Sequence, residues 1–115
     1  MDKATAGREA EALAERLLTG AGLAIVARNF RCRLGEIDLI AREGDTFVFC
    51  EVRYRSGSSF GGAAESITSR KQGRIAAAAR YFLIARPEAP CRFDVLLLKS
   101  LDVARICWIR NAFSV

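Results

Sequence analysis

The sequence predicts an α/β fold, a mixed five-stranded sheet flanked by helices in the order αβββαββ. Three observations carry this. Two segments with helical spacing bracket three strand-like runs, and a last pair of strand-like runs closes the chain. Turn signals separate the elements. The 115 residues, 51% of them hydrophobic, suffice for one core and predict a single domain over residues 1–115.

The first helix is expected over Ala4–Thr19, where Ala10, Leu13, Ala14, Leu17 and Leu18 recur at helical spacing and Gly20 with Gly22 offers a stop. Leu23–Phe30 reads as a strand. Gly35–Ala41 and Thr46–Tyr54 read as two more, joined through Glu43-Gly44-Asp45. Ser56–Gly62 has loop composition. A second helix opens near Thr68 or Ser69, either of which could cap it, runs through Ile75, Ala78, Ala79 and Phe82, and ends before Pro87. Arg92–Lys99 and Arg105–Arg110 form the closing strands, turning around Leu101-Asp102.

Composition narrows the chemistry. No apolar run approaches the roughly 20 residues that span a bilayer. The residues from Met1 to Thr5 lack a signal-peptide layout, so a cytoplasmic location without a membrane partner is expected. Cys32, Cys50, Cys91 and Cys107 lie far apart and there is no histidine, a poor pattern for zinc. Cys50 and Cys107, inside strand-like runs, are expected to act as small buried hydrophobes. Ser-His and Cys-His nucleophile pairs are excluded, leaving carboxylates, Lys, Arg, hydroxyls or a bound metal.

The net charge of +5 is unevenly placed. Between Arg53 and Arg80, six basic residues face one acid, Glu65, which accounts for the whole excess. Arg28, Arg31 and Arg33 form a second cluster. Such a field suits a polyanion such as nucleic acid; a solvated helix face is the plainer reading of the same residues.

The hairpin carries the sharpest signal. With Gly44-Asp45 as the turn and Glu43 facing Thr46, Ile40 falls opposite Phe49, Asp38 opposite Glu51, and Glu36 opposite Arg53. Alternation then puts Glu36, Asp38, Glu51 and Arg53 on one face. Opposed carboxylates repel. A divalent cation with oxygen ligands, Mg²⁺ or Mn²⁺, relieves that repulsion, and phosphodiester hydrolysis is the chemistry such a site performs. Neutralisation by Arg53 or other bases on an exposed face is the alternative.

Gly35-Glu36-Ile37-Asp38-Leu39-Ile40, then Phe49-Cys50-Glu51-Val52-Arg53 and Ser59-Phe60-Gly61, resembles the YraN-like family of uncharacterised bacterial proteins. The likeness extends from Gly7 and Glu11 through Arg70-Lys71-Gln72 to Arg92-Phe93-Asp94-Val95, nearly the whole chain. That family is similar to the PD-(D/E)xK nuclease superfamily, with archaeal Holliday junction resolvases among its relatives. The resemblance implies a restriction-endonuclease-like fold, with Asp38 and Glu51 as metal ligands. It implies Glu11 as the helix-borne acid that completes the site; an acidic solvated face shared with Glu15 is the other reading of Glu11. Position 53 departs from the pattern, which calls for Lys. Lysine can shed its proton when desolvated and arginine effectively cannot, though Arg53 can still bind a phosphate oxygen. Lys71 is a candidate substitute, with simple phosphate contact as its alternative role.

The expected activity is that of a metal-dependent endonuclease acting on DNA, branched or damaged DNA included. Asp38, Glu51, Arg53 and Lys71 are its catalytic candidates. Arg55, Arg70, Lys71, Gln72 and Arg74 would contact the backbone, together with the loop residues Ser59 and Phe60. Phe60 could stack on a base or pack on the second helix. Symmetric cutting of two strands would call for a homodimer. Two alternatives stand: a non-catalytic nucleic-acid-binding module with a degenerate site, and a basic domain that docks on an acidic protein surface.

Overall fold

Asp2 and Thr68 start the two long helices. The Asp2 carboxylate accepts from Thr5 N–H at 2.8 Å and opens α1 (Lys3–Gly20); the Thr68 hydroxyl accepts from Lys71 N–H at 3.2 Å and opens α2 (Ser69–Phe82). Gly22, at φ 96°, takes the left-handed turn that ends α1. Five strands complete the chain: β1 (Ala24–Cys32), β2 (Gly35–Glu43), β3 (Thr46–Tyr54), β4 (Cys91–Leu98) and β5 (Cys107–Phe113). The computed structural model describes residues 2–55 and 67–114. The expected loop with Ser59 and Phe60 therefore lies outside the described residues.

The strands form one sheet in the order β1-β2-β3-β4-β5. The first three make an antiparallel meander, α2 crosses over to bring β4 parallel to β3, and β5 returns antiparallel. Parity along β3 and β4 sorts the core into two clusters. Phe47, Phe49, Phe93, Val95 and Leu97 pack with Ile75, Ala76, Ala78 and Ala79 of α2. Val48, Cys50, Leu96 and Leu98 pack with Ala10, Ala14 and Leu18 of α1. This is the mixed five-stranded sheet flanked by helices that was expected, and it accords with a restriction-endonuclease-like fold. Among the described residues no helix is long and apolar enough to cross a membrane.

The hairpin register is the one the turn predicts, from Glu43↔Thr46 through Ile40↔Phe49 to Leu39↔Cys50. There the ladder stops. Asp38 does not pair with Glu51, nor Glu36 with Arg53; Glu36 pairs with Arg31 of β1 instead. The reason lies in the Asp38 side chain, whose Oδ2 accepts the Val52 N–H at 2.8 Å and replaces a main-chain bond. Alternation fails at the same point. Ile37 and Ile40 join the α2-side cluster, whereas Leu39 and Ala41 join the α1 side, so the four expected residues do not share one regular face.

Two smaller corrections concern the last strand. The expected start at Arg105 is delayed because Asp102 caps a short 3-10 turn over Val103–Arg105, its carboxylate accepting from Ala104 N–H at 3.0 Å. Asn111, in the left-handed region at φ 53°, bends the strand and lets it run on to Phe113. Cys50 is buried as expected, but Cys107 is exposed because it begins this edge strand.

Candidate metal centre

Where the β2–β3 ladder ends, the two strands hold Asp38 and Glu51 close enough for their carboxyl groups to share a hydrogen bond. Glu51 is 5% exposed and Asp38 is half-buried. Burial raises the pKa of both. For Asp38 the Val52 N–H and the Lys71 charge work against that rise. For Glu51 burial is joined by the Asp38 charge, and the result is a carboxyl pushed up to about 7. The pair therefore releases its protons at higher pH than two isolated carboxylates would, since among the described residues one cation is ion-paired with it.

That cation is Lys71. Its Nζ lies 2.9 Å from Glu51 Oε1, with 43% of its side chain still open to solvent. The first turn of α2 places it there, and Gly35 sets how closely α2 approaches. A Cβ at Gly35 would collide with the carbonyl oxygen of Arg74, one turn beyond Lys71. The helix rests directly on the start of β2 at that point.

Two cavities meet at the carboxylates. One, of about 410 Å³, is lined by Glu36, Asp38, Glu51, Thr68, Arg70, Lys71, Arg74 and Ile75. The other, of about 1050 Å³, runs along the N-terminal half of α1 and the end of β3. It brings Lys3, Glu11, Arg53 and Arg55 to the same two acids. Asp38, Glu51 and Lys71 line both cavities.

The sequence candidates divide accordingly. Asp38, Glu51 and Lys71 come together, and Arg70 and Arg74 flank them on one side, Arg53 and Arg55 on the other. Arg53 keeps its Nε buried without a hydrogen-bond partner among the described residues. Gln72 lines neither cavity; its Nε2 donates to the Ile67 carbonyl at 3.0 Å. Glu11 lines the larger cavity, and its pKa is raised by burial and by the Asp38 charge, against a hydrogen bond from Asn29. It faces the pair without closing on it. Among the described residues no three Asp, Glu, Cys or His groups stand close enough to form a metal cage. Glu15, the other candidate for an acidic face of α1, is paired with Arg28 of β1.

A two-carboxylate site, with further positions left to solvent and substrate oxygens, fits a hard oxygen-seeking cation such as Mg²⁺. Sequence reasoning missed two features of the region, Asn29 and the Val52 N–H. Asn29 carried a readable signal, an Asn amid Ile25, Val26 and Phe30, where strands disfavour it.

The chain is similar to known proteins along almost its whole length. A family model described as "Uncharacterised protein family UPF0102" matches residues 10–98. A UPF0102 protein of Methylobacillus flagellatus is 53% identical over 108 residues, 94% of this chain and 96% of that one. A relative from Nitrosospira multiformis is 52% identical over 110 residues, covering 95% and 92% of the two chains. One from Dechloromonas aromatica is 53% identical over 108 residues, covering 94% and 88%.

Proposed function

The chain belongs to the UPF0102 family, and we propose that it is a Mg²⁺- or Mn²⁺-dependent nuclease-like protein that hydrolyses phosphodiester bonds in DNA. The observation that carries this reading is the placement of Asp38 beside the buried Glu51 where two Arg-lined cavities meet. Paired carboxylates with raised pKa in a cleft are costly to keep for packing alone and suited to a cation.

Asp38 and Glu51 would hold the ion, with Glu11 approaching from α1. A bound Mg²⁺ supplies Lewis acidity toward a phosphate oxygen and lowers the pKa of a water. The rest falls to the chain's own groups. Arg70 and Arg74 on one side and Arg53 and Arg55 on the other would hold the backbone phosphates before and after the scissile one. The Lys71 ammonium, released from Glu51 when a cation takes its place, would face the reacting phosphate and stabilise charge developing there. That assigns to Lys71 the position the E-x-K pattern gives to residue 53, where Arg cannot serve as a proton acceptor.

A second reading, a DNA-binding module without turnover, is favoured by Arg53 itself. Incubating labelled linear, nicked and four-way-junction DNA with Mg²⁺ or Mn²⁺ separates the two. Wild type is expected to cleave, with Asp38→Ala and Lys71→Ala inactive and Arg53→Lys at least as active. Salt-sensitive binding without cleavage in wild type and Arg53→Lys alike would overturn the nuclease reading in favour of the module. An absence of binding even at low salt would sink both.

A further inference from the structure

Helix α2 carries four basic residues, Arg70, Lys71, Arg74 and Arg80, and no acid. Lys71 is paired with Glu51. The three arginines are exposed, and among the described residues none of them has an acidic partner. On the sheet, Arg28, Arg31, Arg92 and Arg110 each reach a carboxylate. Arg70 and Arg74 line the smaller of the two cavities together with Asp38 and Glu51. At about 100° per residue, Tyr81 falls between these two arginines on the helical wheel, and Arg80 flanks the row. Gly73 and Ala77 lie on the same outward side and add little bulk, and nothing stands within 4 Å of the place a Gly73 Cβ would take. Tyr81 is 55% exposed, with its ring beside Phe30 at 6.3 Å.

A solvated basic face is the plain reading of such a helix, and Arg80 in the last turn also suits the negative end of the helix dipole. Two features go beyond it. The row has a direction, since it begins at the acidic cavity and leads away from it along the helix. It also consists of side chains that contact phosphates, guanidinium groups and a phenol hydroxyl, with no carboxylate among them to repel a polyanion. From Arg70 to Tyr81 the helix rises about 17 Å, on the order of five base-pair steps of duplex DNA.

We propose that the outward face of α2 is a phosphate-tracking surface, on which Arg80 and Tyr81 hold the backbone of a DNA arm that extends from the acidic cavity past Arg70 and Arg74. The proposal rests on the DNA reading of that cavity and deepens it. It makes the substrate a chain that continues beyond the reacting phosphate on the α2 side, so that the site acts within a strand and not at a terminus lodged against α2. Arg80 and Tyr81 supply affinity here and touch no reacting atom.

The test is fluorescence anisotropy on the full chain without divalent metal, so that no cleavage intervenes. The probes are labelled duplexes of increasing length, with poly-glutamate as an acidic-protein control, and each variant is also melted. Arg80→Gln is expected to bind long duplexes about eightfold more weakly at about 0.1 M salt, with a salt slope lower by about 0.9. The shortest duplexes, which end before Arg80, should bind both proteins alike, and Arg80→Lys should restore most of the loss. Tyr81→Phe keeps the ring beside Phe30 and removes the hydroxyl; it should weaken binding about threefold without changing the slope. If Arg80→Gln binds every duplex as wild type does while Arg70→Gln binds weakly, the tract is overturned and the DNA reading of the cavity stands. A lower melting temperature with unchanged binding would give Arg80 a dipole role alone and overturn it too. Equal, Arg80-dependent affinity for poly-glutamate would assign the face to an acidic protein instead. Failure of wild type to bind any duplex at low salt overturns the DNA reading, and the tract falls with it.

Discussion

Two buried acidic regions lie on either side of Cys50, and the protein treats them in opposite ways. Asp94, 0% exposed, is closed in by donors: Arg92 Nε at 3.1 and 3.3 Å, Trp108 Nε1 at 2.9 Å and the Asn111 N–H at 2.9 Å. Arg92 in turn reaches Glu43 at 2.6 Å, and Arg110 stacks over Trp108 at 4.0 Å. Among the described residues the Asp38/Glu51 region has one N–H donor and one ammonium for two carboxyls, and it opens into two cavities. Between them the Cys50 thiol is pushed far up by burial, with the Asp94 charge adding to it. The contrast teaches how to tell a structural buried acid from a functional one. The first has its lone pairs filled by the fold, and the second leaves them for something the fold does not supply.

Breaking the closed region should have the largest effect. Asp94→Ala leaves the Arg92 guanidinium short of a partner and is expected to lower stability by about 3–5 kcal/mol in urea unfolding. Asp38→Asn, made in the open region, should change stability by no more than about 1 kcal/mol and could raise it, because it removes a repelling charge. Equal losses in the two variants would erase the distinction.

The pH dependence sharpens the same comparison. Glu51 ionises near 4.5 in the unfolded chain and at about 7 in the folded one. Between those values the folded protein holds a proton the unfolded chain has released, so stability falls as pH rises through this window and levels off above it. The fall should be about 3 kcal/mol. Glu51→Gln should flatten it, and Asp94→Asn should not. A fall that survives in Glu51→Gln would place its origin elsewhere.

The smallest expected effect lies at the α2 cap. Thr68→Ala removes the acceptor for the Lys71 N–H and should cost about 1 kcal/mol. Because it loosens the turn that carries Lys71, it should also lower any cleavage activity.

Much of this was legible in the sequence because local rules decided it. Gly44-Asp45 fixed the β2–β3 register for five pairs, and from those pairs the meeting of Asp38 with Glu51 follows. Extrapolation failed one residue later, where a side chain took over a backbone bond that period-two reasoning assigns to the main chain. Asp94 and Arg92 were visible only as part of a resemblance, since their roles depend on Glu43, Trp108 and Asn111, contributed by β2 and β5. Lys71 was a candidate by way of the resemblance, but its ion pair with Glu51 had no local signal, because the docking of Gly35 on Arg74 is a tertiary contact.

Whether the open region is a cation site is decided most directly by titrating Mn²⁺ into wild type and Glu51→Gln at a pH above 7, where the pair has released its proton. Saturable uptake by wild type, abolished in Glu51→Gln, is the predicted result. Equally weak uptake by both would contradict it.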